Sequence, residues 1–243
     1  MLKQACAELA PTGILRAAIN MSNFLLVTGS TPEGDPDGVS PDMARAVAER
    51  LGVPLKLVPF KTPGELADAA VEDVWDIGNI GAEPERAKTI AFTPAYVEIE
   101  ASYLVPAGSP IQSIDEVDRN GVRIAVYGRS AYGLWLIDNI RHAELVKTDS
   151  IDASFDLFVK QKLDALAGLR PRLIRDVEKL PGSRMLDGKF SAVQQAIGTK
   201  PDRKAGAAFL RDFVEEAKAS GFIASLIDKH GMSGRITVAP PAG

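Results

Sequence analysis

Two hydrophobic patterns alternate along the chain, one typical of buried strands and one typical of amphipathic helices. Short apolar runs at residues 14–19 and 55–60 have the length of buried strands, whereas residues 44–51 repeat apolar side chains at the spacing of one helix face. Ser40 stands where a helix N-cap would precede that segment, and Gly52 stands where a terminating glycine would follow it. This order of strands and helices predicts βαβ units on a parallel sheet, and hence an α/β fold.

The alternation continues to about residue 231 and forms two similar α/β halves. Pro106 and Pro110 bound the clearest turn-rich segment, where we expect the chain to cross between the halves. Residues 96–105 place Glu98 and Glu100 on one face, as in an edge strand that faces water or a cleft. The other predicted strands are 74–80, 122–127, 145–147, 163–169 and 191–198, and the other predicted helices are 62–71, 131–139, 150–162, 171–180, 201–220 and 222–229.

Small and polar residues follow two of the early strands. In an open α/β sheet, ligands bind beyond the carboxyl ends of the strands, which indicates residues 20–24 and 78–86. Pro84 suits the first turn of a helix, whose free amides attract anions, and Arg86 would add a guanidinium that grips a carboxylate. The alternative interpretation is a strand–helix corner with a solvated arginine.

Gly128-Arg129-Ser130 forms a second candidate anion site, with amides and a hydroxyl at the start of the helix predicted from residue 131. A helix that is simply capped by Ser130 is a compatible alternative. The segment is not a phosphate loop, because Gly-Lys-Ser/Thr is absent, and Tyr132 stands where a nucleophile elbow requires glycine. No Gly-x-Gly-x-x-Gly segment follows a strand, so dinucleotide binding has no support.

Composition narrows the possible partners. The 243 residues are 46% hydrophobic with a formal net charge of −4, which fits a globular protein without a basic stripe for nucleic acid. With Cys6, His142 and His230 as the only soft ligands, we expect no zinc site and no cofactor. No segment has the length and apolarity of a membrane span. The first residues lack the apolar region of a secretory signal, so either a signal was removed or the protein stays in the cytoplasm.

Several sequence segments resemble the motifs of one protein family, and they occur in the same order along the chain. Residues 38–53 resemble the Gly-Phe-Asp-x-Asp-Leu-Ala…Leu-Gly-Val signature of family 3 solute-binding proteins, the periplasmic receptors of polar amino-acid ABC importers. Residues 83–96 resemble the Thr-Pro-Glu-Arg…Phe-Ser-x-Pro-Tyr run of that family, and residues 122–130 resemble its Gly-Ser turn. Residues 162–165 resemble its Arg-x-Asp-Ala strand entry, so the similarity covers nearly the whole chain.

The resemblance implies a two-lobed type II periplasmic-binding-protein fold, in which each lobe is a mostly parallel sheet flanked by helices and two crossing hinge segments join the lobes. It assigns residues 1–104 and 197–243 to the first lobe and residues 105–196 to the second. The lobes would close on a small carboxylate-bearing ligand, an amino acid or a related organic acid. The protein partner would be an ABC transporter permease, and the receptor would be a periplasmic monomer without enzymatic activity.

The resemblance also assigns roles to single residues. In that family the arginine of the Thr-Pro-Glu-Arg run, here Arg86, holds the α-carboxylate of the ligand, and an aromatic residue after the first strand, here Phe24, packs on it. The predicted ligand-binding residues are Asn23, Phe24, Gly81, Ala82, Arg86, Glu100, Ser130, Ala131, Arg170 and Gln194.

Two positions depart from the family pattern. Glu83 replaces the threonine of the Thr-Pro-Glu-Arg run, and Leu169, followed by Arg170, replaces the aspartate that binds the ammonium group of the ligand. Because a buried ammonium needs a counter-charge, either Glu98 or Glu100 supplies it, or the ligand has no ammonium and Arg170 meets a second acidic group. We favour the first alternative.

Two other functions fit the same fold. Some relatives resemble cyclohexadienyl dehydratases, lyases that eliminate water and carbon dioxide from prephenate-like acids, and Glu98 or Glu100 could supply the general acid. A cytoplasmic ligand-sensing module would fit the missing signal and would need a separate output partner. We favour the binding receptor, because function follows from the site and not from the fold.

Overall fold

The computed structural model describes residues 2–243, and the chain forms two compact units. The first unit comprises Met1–Glu98 with Gln194–Gly243, and the second comprises Ile99–Val193. The chain thus passes between the units at 98–99 and at 193–194, ahead of the boundaries at 104–105 and 196–197 that the resemblance suggests. Pro106 belongs to a turn inside the second unit, where its carbonyl accepts a hydrogen bond from the amide of Ser109.

The elements confirm the alternation of strands and helices, and each passage between the units lies inside a long strand. Short 3₁₀ turns occupy Ala69–Val71, Arg86–Lys88 and Ile114–Glu116. In chain order the helices and strands are α1 (Leu2–Leu9), β1 (Leu15–Asn20), β2 (Gly29–Ser30), β3 (Pro36–Asp37), α2 (Val39–Leu51), β4 (Leu55–Phe60), α3 (Pro63–Asp68), β5 (Ile77–Gly81), β6 (Ala91–Phe92), β7 (Val97–Val105), β8 (Arg123–Tyr127), α4 (Ala131–Asn139), β9 (Glu144–Thr148), α5 (Ile151–Lys160), β10 (Ala165–Leu169), α6 (Arg170–Lys179), β11 (Arg184–Met185), β12 (Ser191–Thr199), α7 (Lys204–Ala219), α8 (Phe222–Lys229) and β13 (Thr237–Val238).

The sheet of the first unit runs in the order β4-β1-β5-β12. Strand β1 is parallel to both of its neighbours, with Ile19 opposite Pro59 on β4 and opposite Asn79 on β5. Strand β12 pairs antiparallel with β5, β6 pairs with β12, and β13 pairs with the first residues of β7. Because β1 and β5 are parallel neighbours, their carboxyl ends meet at one edge of this sheet.

The sheet of the second unit runs in the order β7-β10-β8-β9. Strands β8, β9 and β10 are parallel, whereas β7 is antiparallel to β10 and also pairs with the short β11. The carboxyl ends of β8 and β10 therefore lie side by side. All residues of β5 and of β10 are buried, as expected for strands covered on both faces in an α/β unit.

Each unit has its own apolar core. In the first, Trp75, Leu66 and Ile80 pack with the residues of α3 and β1, and in the second, Phe158, Leu166 and Leu173 pack between β10 and the helices α5 and α6. None of the helices within residues 2–243 is long and apolar enough to cross a membrane.

The start of α2 differs from the prediction. Gly38, and not Ser40, is the capping residue: it has a φ of +148°, and a Cβ there would lie 2.3 Å from the carbonyl oxygen of Leu26. Ser40 is buried inside the first turn, where its Oγ lies 2.9 Å from Oη of the buried Tyr96. Gly52 ends the helix in the left-handed region, as predicted.

Candidate functional site

Arg86 lies at the carboxyl end of β5, at the edge of the first sheet where sequence reasoning places a ligand. Its side chain is buried, with only 5% exposed, so the interpretation as a solvated arginine is wrong. One guanidinium nitrogen, Nη1, donates to the carbonyl oxygen of Gly81 at 2.8 Å, which uses one of the five N–H donors and ties the side chain to the strand end.

The helix predicted from Pro84 is not formed. The segment makes only a 3₁₀ turn at Arg86–Lys88, because the chain rejoins the sheet at β6 directly afterwards. The positive charge at the end of β5 therefore comes from the guanidinium of Arg86 and not from a helix N-terminus. The amide of Ala82 donates to the carbonyl oxygen of Gln194 at 2.7 Å, which extends the pairing of β5 with β12.

Asn23 and Phe24 follow β1 and share the edge of the first sheet with the end of β5. The side-chain oxygen of Asn23 accepts from the amide of Leu25 at 3.3 Å, and its carbonyl accepts from the amide of Val27 at 2.9 Å. Asn23 is buried and shapes this loop, whereas Phe24 is half-buried.

Glu98 joins this group through Gln194. The side-chain amide of Gln194 donates from Nε2 to Oε1 of Glu98 at 2.9 Å. Gln194 therefore contacts both the end of β5, through Ala82, and the carboxylate of Glu98. Within the first unit, the structure brings together the predicted residues Gly81, Ala82, Arg86 and Gln194, and adds Glu98 to them.

In the second unit, Ser130 is the N-cap of α4, as the capped-helix interpretation predicts. Its Oγ accepts from the amide of Gly133 at 2.9 Å and donates to the carbonyl oxygen of Tyr127 at 2.7 Å. The hydroxyl proton is thus used within the cap and is not left for a ligand. The donors left for an anion are the backbone amides of the first turn, beginning with that of the buried Ala131.

Arg170 and Glu100, which the sequence offers as alternatives, contact each other at the end of β10. Nε of Arg170 donates to Oε2 of Glu100 at 2.7 Å, and its Nη2 donates to the carbonyl oxygen of Gly188. Nζ of Lys189 lies 3.4 Å from Oε1 of the same carboxylate. Glu100 therefore has two cationic neighbours, and the guanidinium of Arg170 is held by the protein.

The family model that describes bacterial extracellular solute-binding proteins, family 3, matches residues 20–233. The chain belongs to this family. Its fold is the type II periplasmic-binding-protein fold predicted from the motifs. None of the curated proteins compared with this family 3 protein matches it.

Three solved structures illustrate the fold of this family 3 protein. A mutant of ArgBP from T. maritima has a TM-score of 0.71 at 20% identity, covering 93% of this chain and 99% of its own. The ancestral amino-acid-binding protein AncCDT-1, a precursor of cyclohexadienyl dehydratase, has a TM-score of 0.72 at 19% identity, covering 92% and 98%. AbpA from Streptococcus pneumoniae, bound to L-arginine, has a TM-score of 0.71 at 20% identity, covering 91% and 96%.

The family 3 protein also contains a charge cluster that sequence reasoning missed. Oδ2 of Asp42 accepts from Nζ of Lys229 at 2.7 Å and lies 2.8 Å from Nε2 of His230, while Oδ1 accepts from Nη1 of Arg45 at 2.7 Å. Asp37, Asp42 and His230 offer ligand atoms within 4.8 Å of one another. Because cationic side chains already occupy both oxygens of Asp42, the cluster is an ion-pair network that ties the start of α2 to the end of α8.

Proposed function

We propose that this family 3 protein is the ligand-binding receptor of an ABC importer, and that its lobes close on a small carboxylate-bearing ligand, an amino acid or a related organic acid. AbpA is described as an amino-acid ABC transporter substrate-binding protein, and the present chain would have the same role with its own ligand. The proposed protein partner is the transporter permease, the proposed location is the periplasm, and the proposed form is a monomer.

The observation that carries this proposal is the buried guanidinium of Arg86 at the end of a buried parallel strand. The guanidinium stays charged at any physiological pH, so it can attract an anionic ligand to this strand end. The planar fork of arginine matches a carboxylate through two parallel hydrogen bonds. The loop that carries Asn23 and Phe24 follows the neighbouring parallel strand, which supports the same edge as the place of binding.

The second unit offers a complementary feature. Ser130 caps α4, and the amides of the first turn of that helix carry partial positive charge. This helix end is a second place in the chain where an anionic group would be stabilised. Both features favour a ligand with at least one carboxylate and do not require a metal or a cofactor.

A thermal-shift screen of L-amino acids, keto acids and dicarboxylates tests the proposal, because a ligand that binds the folded state raises apparent stability. Calorimetry on the best ligand then compares Arg86→Ala with the wild type. We expect the substitution to cost about 2–5 kcal/mol of binding free energy, the scale for removing one partner of a buried charge pair.

Two variants control this measurement. Arg86→Lys keeps the charge without the fork and should retain part of the affinity, while Arg211→Ala removes an arginine whose side chain is 61% exposed and should bind as the wild type does. Wild-type affinity in a folded Arg86→Ala protein would rule out the proposed role of Arg86.

A lyase is the second candidate, and the likeness to AncCDT-1, whose description names a dehydratase, favours it over other enzymes. The contacts of Glu100 with Arg170 and Lys189 weigh against that residue as a general acid, which leaves Glu98 for the role. Incubation of the purified protein with prephenate or arogenate, followed by product analysis, distinguishes the two functions. Turnover would favour the lyase, and its absence would favour the receptor.

A further inference from the structure

A tight turn leads into β8 in the second unit. The amide of Val122 donates to the carbonyl oxygen of Arg119 at 3.1 Å, which closes a turn with Asn120 and Gly121 at its centre. The φ of Gly121 is +87°, whereas that of Asn120 is not positive. A positive φ confined to the second central residue is characteristic of a type II turn, and glycine adopts it without strain.

Both central residues of this turn are exposed to solvent. Within residues 2–243, neither the side-chain amide of Asn120 nor the backbone amide of Gly121 forms a hydrogen bond. A Cβ added to Gly121 would find no atom within 4 Å apart from its chain neighbours. The carboxamide and the backbone nitrogen that follows it are therefore accessible to water and free to approach each other.

Asparagine is thermolabile in this setting, because its side chain reacts with the backbone. The nitrogen of the next residue gives up its proton and bonds to Cγ, the bond from Cγ to Nδ2 breaks, and ammonia leaves with that proton. The product is a cyclic succinimide, which water opens at either carbonyl to aspartate or isoaspartate. Water is the only co-reactant, and a glycine after the asparagine places no Cβ beside the attacking nitrogen.

The other asparagines lack these conditions. Asn120 is the one asparagine that precedes glycine, and a residue with a side chain follows each of the others. Asn23 and Asn79 are also buried. Asn139 is the last residue of α4, and its Nδ2 donates to the carbonyl oxygen of Trp135 at 2.8 Å. Reaction by this route is therefore favoured at Asn120 alone.

We propose that Asn120 is a site of spontaneous deamidation, with the nitrogen of Gly121 as the internal nucleophile and water as the co-reactant. The product carries aspartate or isoaspartate at position 120 and one further negative charge. Isoaspartate also adds an atom to the backbone, which opens the turn between Arg119 and Val122.

Deamidation affects the stability of the second unit through Asp118. The carboxylate of Asp118 accepts from the amides of Arg141, His142 and Ala143, and so holds the turn to the segment that follows α4. A new carboxylate two residues away repels this group, and a longer backbone displaces it. Ser130 lies beyond the opposite end of β8, so the candidate anion site should be unaffected.

Incubation of the full chain at about pH 6, 7 and 8, followed by proteolysis and mass spectrometry, tests the proposal. Cleavage after Glu116 and Glu144 releases residues 117–144, which contain both Asn120 and Asn139. We expect the amide to become an acid at Asn120 and not at Asn139. Because the reacting nitrogen must lose its proton, the rate should rise by up to about tenfold per pH unit.

Three variants check the mechanism. Asn120→Gln lengthens the side chain and disfavours ring closure while it keeps the glycine, so the conversion at position 120 should be lost. Gly121→Ala places a Cβ beside the attacking nitrogen and should slow the conversion, although alanine also strains a turn with a φ of +87°. Asn139→Gln is the matched control and should leave the conversion at Asn120 unchanged.

Thermal unfolding measures the consequence of the reaction. The wild type should unfold at a lower temperature after incubation at the highest pH than before it, whereas Asn120→Gln should unfold at the same temperature before and after. Asn120→Asp carries the charge of one product without the longer backbone, so it separates the effect of charge from that of isoaspartate.

An amide that persists at Asn120 at the highest pH would overturn the proposal, and conversion of the same chain unfolded in urea would then show that the folded turn protects it. Conversion at Asn139 ahead of Asn120 would also overturn it. The measurement needs no ligand, so failure of the proposed receptor function and failure of this proposal are separate results.

Discussion

Nε of Arg170 lies 2.7 Å from Oε2 of Glu100, so the cation that follows β10 neutralises the acid on the neighbouring β7. The pair is partly exposed, with 26% of the arginine side chain and 45% of the glutamate side chain accessible. Such pairs contribute modestly to stability, but Arg170 also donates to the carbonyl oxygen of Gly188, on the segment after β11. The arginine therefore joins three segments of the second unit.

We expect Arg170→Ala to lower the free energy of unfolding by about 1–2 kcal/mol, since it removes an ion pair together with a charged hydrogen bond to the backbone. Lys189→Ala removes the other cation near Glu100, whose Nζ lies farther away, at 3.4 Å, and should cost no more than about 0.5 kcal/mol. Urea unfolding of the two variants measures the difference. A larger loss for Lys189→Ala would contradict the role given to Arg170.

Asp76 is the most deeply buried acid with two cationic partners in the first unit. Both of its oxygens accept from Arg16, at 2.9 Å each, and Oδ1 also accepts from Nη1 of Arg203 at 2.9 Å. Asp76→Asn removes the buried counter-charge that the two arginines share, so we expect a loss of about 3–5 kcal/mol, the scale for breaking a buried pair.

Asp73→Asn is the matched control for Asp76→Asn. Asp73 pairs with the same Arg16, but its side chain is 72% exposed. Solvent can replace the lost interaction, so the cost should be much smaller. Equal losses in the two variants, measured by chemical denaturation, would show that burial does not set the strength of this network.

Sequence reasoning predicted the elements of both units well, because their signals are local. The sequence predicts a helix over residues 131–139, which form α4, and Thr62 caps α3 by accepting from the amide of Glu65 at 3.1 Å. The helix expected at Pro84 failed for a reason that lies outside the segment. The local sequence pattern permits a helix, but the residues that follow the 3₁₀ turn join the sheet as β6, which pairs with β12.

Contacts between residues that are far apart in the chain could not be predicted from the sequence. Nothing near Ser40 indicates that Tyr96 would bury it, and nothing near Glu100 indicates that Arg170 would pair with it. The motif singles out Arg86, but it indicates neither the burial of the side chain nor its hydrogen bond to Gly81. Side-chain partners depend on the register between strands, and one sequence does not specify that register.

Acidic pH should weaken the first unit through Asp42 and Asp76. Burial alone would raise the pKa of each carboxyl, but hydrogen bonds outweigh it, from Lys229, His230 and Arg45 at Asp42 and chiefly from Arg16 at Asp76. Both pKa values are therefore lower in the folded state than the ordinary value of about 3.9. The folded protein then binds fewer protons than the unfolded chain, so stability is full above that value and falls as the pH drops through the lowered pKa.

Urea unfolding at a series of pH values between about 6 and 2 measures this effect. The wild type should lose stability steeply at the acidic end of the series. Asp42→Asn removes one of the titrating groups, so its free energy of unfolding should be lower at neutral pH but should depend less on pH in the acidic range. An unchanged acid slope in Asp42→Asn would show that this carboxyl is not one of the groups responsible.

Gly133, in the first turn of α4, should not tolerate alanine. In an exposed helix, Gly→Ala usually stabilises by about 0.5–1 kcal/mol. Here a Cβ would lie 2.2 Å from the carbonyl oxygen of Tyr127 and 2.9 Å from Oγ of Ser130, so the helix would have to move away from its own cap. We expect a loss of about 1–3 kcal/mol, the scale of overpacking.

Gly206→Ala in α7 serves as the comparison, because the atoms nearest to the added Cβ would be side-chain carbons of Leu9 on α1. A side chain can yield where a carbonyl in a strand end cannot, so this variant should lose less stability than Gly133→Ala. Thermal unfolding of both variants, with calorimetry on the ligand, separates the two effects. If the amides that follow Ser130 bind the ligand, Gly133→Ala should also weaken binding, whereas Gly206→Ala should leave it unchanged. Stabilisation by Gly133→Ala would refute the close approach between Gly133 and Tyr127.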